Sequence, residues 1–119
     1  MKNILFIVGL LGLITTSCVQ KSYKKTVVFT VDVSKIKNIK SVGIRGEKPL
    51  DWNYDIEMEI VKKDSIYTIT KTFETGYKFV EVKFTINGDF ELKDMLNRKV
   101  VFATNGTTNY NAVYNVEKQ

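Results

Sequence analysis

The chain has 119 residues, 44% of them hydrophobic and 26% charged, with one proline and a formal net charge of +5. That size and mix fit one globular domain and exclude a disordered chain. There is no histidine and a single cysteine, so Ser-His, Cys-His and zinc sites lack their residues.

The chain opens with "MKNILFIVGLLGLITTSC": Lys2, an apolar run from Ile4 to Ile14, then Thr15, Thr16, Ser17 and Cys18. The run is shorter than the ~20 residues a spanning helix needs. A basic start, a short apolar core and a small-residue exit describe an export signal. The ending resembles the lipobox of bacterial lipoproteins, with Thr15 where a larger aliphatic is usual. That resemblance implies acylation of Cys18 and a membrane held through the lipid anchor. Residues 1–17 then read as a lipoprotein signal peptide, 18–25 as a lipidated tether and 26–119 as the folded domain. The implied location is the bacterial cell envelope, with the periplasmic and surface faces both open.

After the tether nearly every segment reads as strand. In "TVVFTVDV", Val27, Phe29, Val31 and Val33 alternate with Thr26, Val28, Thr30 and Asp32. Such period-two alternation gives one apolar and one wet face. "SVGIR" is a short strand, and "IEMEIV" sets Ile56, Met58 and Ile60 against Glu57, Glu59 and Val61. "SIYTITKTF" is rich in β-branched and aromatic residues. "FVEVKFTI" alternates Val82, Phe84 and Ile86 with Glu81, Lys83 and Thr85, and "RKVVFA" and "YNAVYNV" follow. Turn signals lie at Gly46 to Pro49, Lys62-Lys63-Asp64, Thr75-Gly76, Asn87-Gly88 and Asn105-Gly106, the last two read as hairpin tips. The expected fold is all-β: an antiparallel, immunoglobulin-like β-sandwich of about seven to eight strands, with at most a helical turn near Leu92 to Leu96.

Few residues are placed for chemistry. Asp51, Asn53 and Asp55 alternate like the start of a calcium loop, but Ile56 stands where glycine is needed and Lys62 where a bidentate Glu is needed. Glu57 and Glu59 share the face of a plain exposed strand rather than facing across a cleft. The lysines are dispersed and the only arginines are Arg45 and Arg98, which argues against nucleic acid as a partner. No cofactor or metal is expected, nor an enzyme. Trp52, the only tryptophan, lies in the polar loop "KPLDWNYD", where exposure and burial are equally open.

The segment "VGIRGEKPLDW … MEIVKKDSIYTITKTFETGYKFVEVKFTINGDFELKDMLNRKV" resembles the starch-binding carbohydrate-binding modules of families 20 and 48, from about Ser41 to Val101. The resemblance implies non-catalytic binding of α-1,4-glucans such as starch, glycogen or maltooligosaccharides. It matches Trp52 and Phe90 to the family's two aromatic sugar platforms, with Phe90 in place of a tryptophan. It matches Lys83 and Asn97 to groups that hydrogen-bond sugar hydroxyls. It also suggests a glycan-degrading enzyme as a partner. The alternative expectation is a structural or protein-interaction lipoprotein that uses the same sandwich without sugar.

Overall fold

In a computed structural model the described residues are 21–117. They form nine strands: β1 Tyr23–Asp32, β2 Val42–Gly46, β3 Ile56–Glu57, β4 Glu59–Lys62, β5 Ile66–Thr75, β6 Phe79–Ile86, β7 Asp89–Phe90, β8 Arg98–Val101 and β9 Thr108–Val113. One sheet has the order β4-β5-β1-β9; the other runs β3-β2-β6, with β7 and β8 both pairing β6. The all-β sandwich expected from alternation is what forms, and residues 92–96 carry no helix. One pairing departs from an antiparallel scheme, since β1 and β9 run parallel. The signal peptide and Cys18 lie outside the described residues. The expected tether is shorter than 18–25, because Tyr23 to Lys25 already pair with Thr75 to Phe73 in β1 and β5.

The alternating residues build the core. Val27, Phe29 and Val31 are buried from one sheet, with Val33 just past β1, and Val82, Phe84 and Ile86 from the other. Phe29 meets Phe73 and Tyr110 edge-on, at 6.1 and 6.3 Å between ring centroids. Such pairs contribute roughly 0.5–1.5 kcal/mol beyond area burial. The hydrophobic core cluster draws its buried members from Val27 to Tyr110, so a chain beginning at Val19 keeps all of it.

The chain changes sheet repeatedly, and two sequence expectations fail there. "IEMEIV" is not one strand. β3 belongs to the β2–β6 sheet and β4 to the β5–β1 sheet, with buried Met58 at the crossing and its N–H donating to the Val42 carbonyl at 2.9 Å. Glu57 and Glu59 therefore sit on different sheets. Ile60 is 62% exposed, because β4 is an edge strand whose register slips between Ile60 and Lys62. Asn105-Gly106 is likewise a crossing between β8 and β9 rather than a hairpin tip. By contrast Asn87 and Gly88, at φ 54° and 81°, form the tight β6–β7 hairpin. Asparagine and glycine tolerate that left-handed backbone better than other residues.

An ion pair with its own set of hydrogen bonds lies within the core. Arg98 and Glu91 form an ion pair at 2.6 Å with side chains 2% and 0% exposed. Glu91 also accepts N–H bonds from Phe84 and Asn115 at 3.0 Å. Arg98 donates to Tyr110 Oη at 3.3 Å and to the carbonyls of Val113 and Val116 at 2.9 and 2.8 Å. Burial opposes the guanidinium charge, but its bonds to Glu91 and Tyr110 outweigh that and raise the Arg98 pKa. The pair fastens the segment from Val113 to Val116 to β6 and β8.

Candidate functional site

The outer face of the β2–β6 sheet carries Lys83 and Phe90, two of the residues singled out from sequence. Directly opposed residues in a ladder point to the same face. Arg45 opposes Lys83, Gly43 opposes Thr85, and Thr85 opposes Phe90. Arg45 is the hub. Its Nε donates to Asp55 Oδ1 at 2.6 Å, its Nη1 donates to the Trp52 carbonyl at 3.3 Å, and its Cζ lies 4.9 Å from the Phe90 ring centroid. One guanidinium thus joins the loop after β2 to the ring on β7. A cation over an aromatic face contributes about 0.5–1 kcal/mol at exposed sites and more when desolvated.

Trp52 is half-buried in the loop between β2 and β3. It borders a shallow hollow of about 360 Å³ with Gly46, Lys48 and Asn53. Phe90 is half-buried beneath Arg45 and also borders a groove of about 500 Å³ with Asp89, Lys93, Met95, Tyr114 and Asn115. Lys83 was expected to offer its amine to sugar hydroxyls. Instead its Nζ donates to the carbonyls of Leu92 and Met95, both at 3.1 Å, and so holds the loop after β7. An ammonium has three donors, so one remains. Asn97 is exposed just before β8. It borders a groove of about 490 Å³ with Leu96, Lys99, Asn109 and Tyr110, lined from both β8 and β9. Among the described residues no hydrogen bond connects it to Lys83 or Phe90. The structure therefore brings Phe90 and Lys83 to one face with Arg45, ties the Trp52 backbone to that arginine, and gives Asn97 a lining in common with β8 and β9.

The calcium-like aspartates are engaged locally. Asp51 accepts the Asn53 N–H at 2.7 Å, and Asp55 is tied to Arg45. Beneath the cluster, Thr85 is fully buried although it points away from the core, and its Oγ1 has no protein partner. The loop reaches it because Gly43 opposes it: a Cβ there would stand 2.8 Å from Thr85 Oγ1 and 3.0 Å from Asp55 Cβ.

Sequence reasoning missed Arg45 as the hub. Its signal was present, since "VGIR" places Arg45 on the wet face and Asp55 lies within loop reach. Tyr114 was also missed. Burial, reinforced by the Glu91 carboxylate, pushes its phenol above the ordinary value, and its Oη donates to the Asp89 carbonyl at 3.0 Å.

No family model matches the chain, and no curated protein matches it.

Proposed function

We propose that the protein is a non-catalytic binding module for α-1,4-glucans, held at a bacterial envelope by a lipid on Cys18. The observation that supports this reading is that Arg45, set opposite Lys83 on the outer sheet face, holds the Trp52 loop through its carbonyl and lies over the Phe90 ring. A pyranose has an apolar face of C–H groups and an equator of hydroxyls. Aromatic rings desolvate the first at ~25 cal/mol per Å², and guanidinium and ammonium donors meet the second. The platform is reduced: Phe90 has its cation already in place, and Lys83 keeps one free donor. The affinity expected is correspondingly low, with a Kd between ~10 μM and ~1 mM.

A second reading, a structural or protein-interaction lipoprotein, is favoured by one observation. Arg45 is already engaged by Asp55, the Trp52 carbonyl and the Phe90 ring, and Lys83 by two loop carbonyls, so these groups stabilise the sheet face whether or not a ligand is present. Titration of maltoheptaose against Trp52 fluorescence separates the two. Saturable change, absent with xylan and cellulose oligomers, supports glucan binding. No change at millimolar sugar leaves the second reading in place.

A further inference from the structure

One end of the sandwich combines exposed aromatics with unbalanced positive charge, and the chain enters the fold there. Tyr23 is 55% exposed, Tyr77 71% and Val101 62%. With Lys78 and Thr104 they border a cleft of about 410 Å³. Phe79 stacks against Tyr77 at 6.3 Å and carries the Lys99 ammonium 4.4 Å above its ring. Five lysines gather at this end: Lys21, Lys24, Lys25, Lys78 and Lys99. They face two glutamates, Glu74 across from Lys24 and Glu81 across from Lys99. The entry of the chain is fixed beside them, because the Lys21 carbonyl passes so near Gly76 that a Cβ there would lie 2.9 Å away.

We infer that this end is a docking surface for an anionic lipid bilayer, with Tyr23 and Tyr77 at headgroup depth and the lysines against the phosphates. Amphipathic rings favour the headgroup layer, and basic side chains near an anionic surface attract it within a Debye length. Chain length agrees. From Cys18 to Tyr23 an extended chain spans at most about 18 Å, so a lipid on Cys18 brings this end, and no other, against the membrane. That last step rests on the anchor proposed above; the charge and the exposed rings do not. The consequence is orientation. The far end of β1, some 30 Å away along ten residues, points outward.

The experiment uses a chain beginning at Val19, which carries no lipid and keeps the whole core, so a failed anchor and a failed surface are told apart. Cosedimentation is measured with phosphatidylcholine vesicles with and without phosphatidylglycerol. The surface predicts binding only to the anionic vesicles and its loss at high salt. Lys21→Gln and Lys78→Gln should each weaken it about fivefold, and Tyr77→Ser should weaken it further. Lys35→Gln with Lys37→Gln, beyond the far end of β1, should leave it unchanged. No binding to anionic vesicles, or equal loss from the Lys35 and Lys37 substitutions, overturns the inference.

Discussion

Arg45 and Lys83 stand directly opposite each other on β2 and β6, two like charges in one rung of the ladder. Such a pairing is destabilising when the charges face each other unrelieved. Here each turns to its own partners: Arg45 to Asp55, Trp52 and Phe90, and Lys83 to the carbonyls of Leu92 and Met95. Repulsion across the rung is converted into two loops pinned on opposite sides of it. Lys83→Ala should cost about 1–2 kcal/mol in urea denaturation and speed amide exchange at Met95. Unchanged stability would show that its two bonds to the loop contribute nothing.

Arg45→Ala removes the ion pair and the cation from Phe90 together. Both carboxylate and guanidinium are partly solvated, at 27% and 19% exposure, so the stability loss should stay near ~1–2 kcal/mol. Maltoheptaose affinity should fall as well, because the Trp52 loop loses its tie. If affinity is intact while stability drops, the glucan does not contact this face.

The buried pair should behave differently. Glu91→Gln or Arg98→Met each leaves an uncompensated partner in the core and should cost about 3–5 kcal/mol. Glu91→Gln combined with Arg98→Met should cost less than the two singles together, since no charge is then stranded and an amide oxygen at position 91 can still accept one of the Phe84 and Asn115 N–H groups. Urea midpoints for the singles and the double decide the matter; a double worse than both singles together would overturn the account.

Gly43→Ala tests the close approach of the loop. Its Cβ would stand 2.8 Å from Thr85 Oγ1 and 3.0 Å from Asp55 Cβ, so the segment around Asp55 must lift. A loss of about 1–3 kcal/mol is expected, with Trp52 emission moving to the red as the loop opens. Emission identical to wild type would mean that the loop does not move.

Tyr114 gives a pH signature. Its pKa is raised above 10.0, first by burial and then by the Glu91 charge. The unfolded chain therefore loses this proton first. The stability carried by the neutral phenol is full below about pH 10 and falls as pH climbs through the folded-state value. Tyr114→Phe should flatten the decline in urea midpoint above that pH. Identical slopes in both proteins would assign the decline to other groups.

The strands that carry the core were legible because burial enforces period two. Val27 to Val33 and Val82 to Ile86 read the same in sequence and structure. The break at Met58 was not legible: a residue buried at a crossing between sheets alternates no differently from one inside a strand. Nor was the Glu91–Arg98 pair. "RKVVFA" puts Arg98 on the inner face with Val100 and Phe102, but no local rule says that a carboxylate from the preceding loop enters the core to meet it. At the candidate site, alternation correctly placed Lys83 on the wet face. It could not say that the amine would be spent on a loop, because backbone carbonyls leave no mark in side-chain patterning. Asn97 was drawn to the site by the family resemblance, and the structure gives it a lining with Lys99 and Asn109 in place of a bond to Lys83 or Phe90.

The placing of β1 has a mechanical consequence. Its ten residues pair with β5 on one side, and its last six pair with β9 on the other. A pull on the N-terminal segment acts along the strand axis, so all the hydrogen bonds on both flanks are loaded together in shear rather than peeled one by one. The strand that first receives tension is thus the one gripped from both sides. An edge strand in its place, such as β4, would unzip under far smaller forces.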